Sequence, residues 1–269
     1  MTEPLGEWKN APLAYVLAEV RTEHVADIEE YHAKIAGKLR DKYPIQRSLR
    51  TRNLVATGQN LIFEASGDHA REFAAPDNQT AAILRTTGLV LHATAYRGRS
   101  TEFLARLDEL VRVFYDVVPS IYFSRLGLRY VDFIVPRKGE LPEAYIDSRI
   151  NPDLGLSSDA SGPLTTSVAQ YSRTNGLLMI RYARGRGQPQ LPPDLGMISL
   201  DPSSPMKQSV EASATTAVLD TDRILALEKP ERLEPDRIHK EFRDMHADIS
   251  TAFKTTIITP HALEVWGAT

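Results

Sequence analysis

The chain of 269 residues contains no cysteine. This absence excludes disulfides, thiolate zinc sites, iron–sulfur clusters and a cysteine nucleophile, because each of them needs cysteine sulfur. The sequence also lacks an apolar run of about 18 residues, the length that a membrane-spanning helix requires. Its first residues include acidic side chains and no apolar core, so no secretory signal is predicted. We therefore expect a cytoplasmic location.

An excess of charge of either sign is also missing. The sequence has 32 Lys and Arg residues against 35 Asp and Glu residues, which gives a formal net charge of -3. The distribution is uneven, because residues 34–60 carry seven basic side chains and one acidic one, whereas residues 211–250 carry six basic and ten acidic ones. The near balance therefore does not exclude an anionic ligand. The hydrophobic fraction of 42% indicates a globular protein.

The motifs of several enzyme classes are absent from the sequence. Gly185-Arg186-Gly187 leads into a proline-rich stretch, so it fits neither a Walker nor a Rossmann phosphate loop. There is no G-x-S-x-G elbow and no H-E-x-x-H zinc motif. His239 and His246 would lie about 10 Å apart along a helix, too far to share one metal ion directly. We therefore predict no cofactor and no metal site, assign no catalytic residue and favour a non-enzymatic protein, while an enzyme of another type stays open.

Hydrophobic periodicity predicts three amphipathic helices and a set of strands. The first helix covers about residues 23–40, the second begins after Ser100 and ends before Pro119, and the third opens at Glu234. An Asn-Gly pair at residues 175–176 predicts a tight hairpin. Strand patterns occur at residues 13–18, 45–56, 61–65, 81–96, 122–135, 165–172, 177–184 and 217–227.

The order of these elements predicts the fold class. Strands in runs, rather than in strict alternation with helices, indicate an α+β protein with largely antiparallel sheets and three main helices. Strand–helix–strands occurs twice, at about residues 11–97 and 98–258, which suggests a duplicated unit. We divide the chain into an N-terminal α+β unit, 1–97, and a C-terminal α+β unit, 98–269, with one continuous domain as the alternative. Residues 185–205 are predicted to form a long loop.

Three strings of the sequence carry a family resemblance. Residues 10–21 and 125–132 form an opening strand and a central arginine–glycine–arginine–aromatic strand, and residues 246–253 form a closing helix followed by Thr259 and Trp266. In these strings the chain resembles a sporadically distributed bacterial and archaeal family of uncharacterised proteins of similar length. The patchy distribution of that family implies an accessory or antitoxin-like component of a defence-related or mobile gene pair. The resemblance supplies no catalytic residues.

The central strand places two arginines on one face. Arg125, Gly127 and Arg129 alternate along it, so their side-chain positions point the same way. Two guanidiniums on a partly apolar face are costly unless they are paired or bound to an anion. One alternative is an anion pocket beside Gly127, where another group can approach closely. The other is a set of internal ion pairs, with acids such as Glu19, Asp132 or Asp147.

Further arginines extend this candidate anion site. Arg50 and Arg52 share a face of the strand after the first helix, and Arg181 and Arg184 lie near the end of a later strand. Basic clusters of this kind are typical either of a solvated face or of a footprint for a nucleotide or RNA. The candidate ligand-binding residues are Arg50, Arg52, Arg125, Arg129, Arg181 and Arg184.

The last helix offers a different surface. Its apolar stripe packs on the sheet or, where part of it is exposed, Phe242, Phe253 and Trp266 form a patch for a protein partner. We predict a non-enzymatic protein-interaction module. The alternative is a binding module for a phosphate-bearing ligand, a nucleotide or RNA, through the clustered arginines. No membrane partner is predicted, and a homodimer is left open.

Overall fold

One antiparallel sheet of nine strands organises the protein. The computed structural model describes residues 10–57, 60–94, 100–151, 165–195 and 199–267, with the side chains of residues 50–69 and 100 outside the description. The strand order is β2-β3-β4-β5-β1-β6-β9-β8-β7. The strands are β1 (Leu13–Thr22), β2 (Ile45–Thr57), β3 (Asn60–Ala74), β4 (Thr80–Arg85), β5 (Gly88–Ala93), β6 (Tyr122–Ile134), β7 (Thr165–Arg173), β8 (Gly176–Arg186) and β9 (Thr215–Arg232).

The longer helices pack on one face of this sheet, and one four-residue helix packs on the other. The described residues contain α1 (Ile28–Leu39), α2 (Ser100–Val117), α3 (Ser204–Lys207), α4 (Pro235–Ala252) and α5 (Pro260–Trp266). Apolar side chains of α1, α2 and α4 form one core with inward residues of the central strands, such as Val16 and Leu128. Each fully buried side chain of this size contributes about 1.5–3 kcal/mol. No helix in the described ranges is both long enough and apolar enough to cross a membrane.

The α+β class and the antiparallel sheet are confirmed, whereas the described residues hold five helices rather than three, and several element boundaries differ from the prediction. Residues 81–96 were expected as one strand, but the chain turns after Arg85 and returns as β5. Gly88 enables this turn, because its φ is 130° and a Cβ there would lie 2.0 Å from the Val20 carbonyl oxygen. The 175–176 hairpin is confirmed, with Arg173 paired to Gly176.

The two predicted units contribute to the same sheet. The predicted boundary falls between β5 and α2, and β1 pairs with β6 across it over most of its length. In each half the first strand lies at the centre, and the last strand of that half lies beside it. The apolar core on the helix side includes residues from both halves.

A long connection, which contains α3, crosses the opposite face of the sheet. The described residues 187–195 and 199–214, which we call the strap, lie between β8 and β9 and fall largely where a long loop was predicted. Leu191 and Leu195 of the strap pack against Tyr15 and neighbouring residues of the sheet. Further along, Leu200 of the strap is buried against β3 and β4. The strap therefore shields polar side chains that this face of the sheet carries.

Candidate functional site

Arg129 on β6 lies at the centre of a buried ion-pair network beneath the strap. Its Nε and Nη2 each donate to Asp220 of β9 at 2.7 Å. Its Nη1 and Nη2 donate to Asp194 of the strap at 2.6 and 3.1 Å. Asp220 also accepts from Arg181 of β8 at 2.9 Å, and Arg181 lies 3.7 Å from Asp222. One arginine thus joins two strands and the strap.

The two carboxylates on Arg129 differ in their surroundings. The side chain of Asp220 is 3% exposed, whereas that of Asp194 is 63% exposed. Burial lowers the pKa of Arg129, but its hydrogen bonds to Asp220 and Asp194 outweigh burial and raise it. The hydrogen bond from Arg129 holds the pKa of Asp194 below its usual range. The Arg129 guanidinium and the Asp194 carboxylate are therefore both charged at neutral pH.

The alternative of internal ion pairs is correct for Arg129, but with other acids than those expected. Asp147 binds Arg149 instead, at 2.8 Å. Asp132 shares the helix side of β6 with Tyr130, opposite to Arg129. Burial, with a smaller contribution from Asp220, raises the pKa of Asp132 to about 8, so this carboxyl holds a proton at neutral pH. No sequence signal distinguishes Asp220 as the partner of Arg129, since the register of β6 and β9 decides it.

The structure does not bring the six candidate arginines together. Arg50 and Arg52 lie on β2, with side chains outside the described residues. Strand β2 is five positions from β6, about 24 Å at the usual strand spacing. Arg184 pairs with Glu143 at 2.9 Å and shares a strand face with Tyr182, on the helix side. Of the set, only Arg125, Arg129 and Arg181 share the strap side of neighbouring strands.

A second polar cluster, absent from the sequence-based candidates, lies under the strap. The Nδ1 atom of His92 lies 3.0 Å from the Tyr15 hydroxyl, and its Nε2 atom lies 3.4 Å from Glu72. Arg47 donates to Glu72 at 2.9 Å, and Ser199 of the strap donates to it as well. Burial raises the pKa of Glu72, but interactions with His92, Ser199 and Arg47 outweigh burial and lower this pKa to about 2. The cluster anchors the strap to β3.

The sheet ends in a strand whose outer side pairs with no described residue. Strand β7 pairs only with β8, and the register is unbroken over nine residues. Within the described ranges, no backbone–backbone hydrogen bond other than this ladder involves residues 166–172. The side chains of Val168 and Tyr171 are 61% and 39% exposed, among the largest exposures of any described apolar residue. Edge position cannot be read from the strand pattern, so the sequence did not single out β7.

The three aromatic residues of the predicted partner patch are buried rather than exposed. Phe242 and Phe253 are buried in the core. Trp266 stacks on Phe253 and packs against Tyr145 in the same core. The apolar stripe of α4 is therefore buried against the sheet.

No protein-family model matches the sequence, and no curated protein matches it either.

Proposed function

We propose that the chain is a protein-interaction module that binds an extended segment of a partner protein along β7. The observation that supports this proposal is the outer side of that strand, which pairs with no other strand in the described part of the chain and is unbroken over nine residues. An unpaired edge presents a row of N–H and C=O groups to which another strand can add. Over nine residues this row is about 30 Å long.

Strand β7 lacks the devices by which proteins usually protect an edge. Natural edges are short, carry lysine or proline, or contain a β-bulge. The sequence of β7, TTSVAQYSR, has no lysine and no proline, and its register with β8 has no bulge. Its one charged residue, Arg173, is held by Asp248 at 2.8 Å. Nothing in the strand therefore repels a partner strand.

The side chains of β7 specify the kind of partner. Val168 lies on the strap side, opposite Arg181, while Tyr171 lies on the other face, opposite Leu178. A partner strand would cover both, and each backbone hydrogen bond that it adds contributes a net 0.5–1.5 kcal/mol, roughly. We expect an uncharged partner segment with apolar side chains next to these two positions.

The proposed role is non-enzymatic. The accessory or antitoxin-like role in a defence-related or mobile gene pair, which the family resemblance implies, is compatible with strand addition at β7. It stays a hypothesis that identification of the bound protein would test.

The test compares affinity capture by the wild type, by the double variant Val168→Lys/Tyr171→Lys and by a control variant Tyr122→Lys. Tyr122 is 47% exposed on β6, away from the β7 edge. We expect one protein to be captured by the wild type and the control but lost from the double variant. Binding of a synthetic peptide from that protein should weaken at least about ten-fold in the double variant, because two charges face an apolar strand.

The contrary result is capture that the double variant retains. Sedimentation of the purified protein separates the two possible occupants of the edge. If the wild type is a dimer and the double variant Val168→Lys/Tyr171→Lys is a monomer, a second copy of the chain, rather than another protein, occupies β7. This result would overturn the proposal of a different partner protein.

A further inference from the structure

Three arginines form a row on the strap side of the sheet, at the other end of β1 from Tyr15. Arg85 of β4 and Arg21 of β1 both pair with Gly88, and Arg21 is directly opposite Arg125 of β6. The register alone therefore places these three side chains across four adjacent strands. Of this row, only Arg125 is among the candidate residues predicted from the sequence.

The row has too few acidic partners. Neither Arg21 nor Arg125 forms an ion pair with a residue that the structure describes, and the nearest carboxylate to Arg85 is Glu19, at 4.0 Å. Burial raises the pKa of Asp222, and the charge of Arg125 offsets part of this effect without forming an ion pair with it. Like charges directly opposite each other on neighbouring strands are destabilising. The arrangement thus calls for an anion that the described residues do not supply.

Two of these arginines also have unused buried donors. The Nε atoms of Arg85 and Arg125 are buried, and neither has a hydrogen-bond partner in the described part of the chain. A buried donor without a partner costs about 1–3 kcal/mol, which is why most such groups in native proteins are satisfied. An oxyanion bound between the guanidiniums would satisfy both atoms.

The backbone leaves room for such a group. Gly127 follows Arg125 on the same face, and a Cβ at Gly127 would approach only Glu19, at 3.9 Å. The strand therefore has no side chain between Arg125 and Arg129. Three guanidiniums beside Glu19 leave an excess of two positive charges, which matches a phosphate monoester, whose charge is about −1.5 to −2 at neutral pH.

We propose that Arg21, Arg85 and Arg125 bind the phosphate group of a small phosphorylated ligand. Guanidinium groups suit this role because their planar N–H forks match two phosphate oxygens at once. Free phosphate and a nucleoside monophosphate share this chemistry. The site lies on β1, β4 and β6, so it is independent of strand addition at β7.

The experiment titrates inorganic phosphate and, separately, adenosine monophosphate into the wild type and into Arg21→Gln, Arg125→Gln and Arg243→Gln, by calorimetry. Arg243 is an exposed arginine on α4 and serves as the matched control. We expect Arg21→Gln and Arg125→Gln to weaken binding by roughly ten-fold or more, as loss of a charged hydrogen bond does. Arg243→Gln should bind as the wild type does. Binding of phosphate alone identifies the free ion as ligand, and binding of both identifies a monoester.

Thermal unfolding separates a ligand site from a structural one. We expect phosphate to raise the Tm of the wild type and of Arg243→Gln, but not that of Arg125→Gln, because only proteins that bind the ion are stabilised by it. Without phosphate, Arg125→Gln should unfold no earlier than the wild type, since it removes an unsatisfied donor. The proposal is overturned if the wild type binds neither probe, or if Arg21→Gln and Arg243→Gln bind equally well.

Discussion

Removing one or the other carboxylate from Arg129 should have very different effects on stability. Asp220→Ala deletes a buried acceptor of three hydrogen bonds, two from Arg129 and one from Arg181. Breaking a buried ion pair by removing one partner costs about 3–5 kcal/mol, because the other charge stays buried without compensation. Asp194 still contacts Arg129, so we expect the lower end of that range.

Asp194→Ala removes the second carboxylate from the same guanidinium. Because the Asp194 side chain is 63% exposed and Asp220 remains in place, the loss should be within about 1 kcal/mol, as for other exposed ion pairs. The two variants share their arginine, so the comparison isolates the effect of burial. Asp220→Asn preserves the side-chain volume. It serves as a milder variant at the same position if Asp220→Ala fails to fold.

Urea unfolding followed by circular dichroism measures the difference. We expect the midpoint to fall in the order wild type, Asp194→Ala, Asp220→Asn, with an unchanged slope m. Equal losses for Asp194→Ala and Asp220→Asn would refute the argument that burial sets the cost. So would a loss in Asp220→Asn below about 1 kcal/mol, which is the scale of a surface pair.

Two further predictions concern Glu72 and the glycines. The pKa of Glu72 is about 2 in the folded state, against the usual 4.5, so its carboxylate contributes stability above pH 4.5 that is lost as the pH falls towards 2. The contribution is about 3 kcal/mol. Unfolding midpoints between pH 6 and about 2 should therefore fall further for the wild type than for Glu72→Gln. Equal slopes would contradict this. Gly176→Ala should destabilise by about 2 kcal/mol or more, since its φ is 152° and a Cβ would lie 2.0 Å from the Ile224 carbonyl oxygen. Gly37→Ala, in open space on α1, should instead stabilise by about 0.5–1 kcal/mol; thermal unfolding that shows the same sign for both would be the contrary result.

Local patterns in the sequence were sufficient for the elements that depend on neighbouring residues. The apolar stripe of α4, with proline at its start, predicted that helix closely, because periodicity and capping are local properties. The Asn175-Gly176 turn was predictable for the same reason, because Asn and Gly both tolerate a positive φ. In the structure, Asn175 has a φ of 55°. The turn before Gly88 was missed, because Thr86 and Thr87 carry no strong turn signal.

Properties that depend on strand order could not be predicted. Arg52 and Arg125 both lie on strands with alternating patterns, and nothing in those patterns places β2 at an edge and β6 at the centre. For the same reason, the open edge at β7 and the row that joins Arg21 to Arg85 appear only when the register is known. Duplication of a strand–helix–strands unit stays a prediction.

Hydrogen–deuterium exchange of β7, with and without the captured partner, tests the central claim most directly. In the free protein, outward backbone amides of residues 166–172 should exchange rapidly, because only the β8 side of the strand is paired within the described residues. Strand addition predicts that these amides become protected in the complex, whereas those of the Arg21 row on β1 do not change. Protection elsewhere on the surface, with β7 exchanging as in the free protein, would contradict the account.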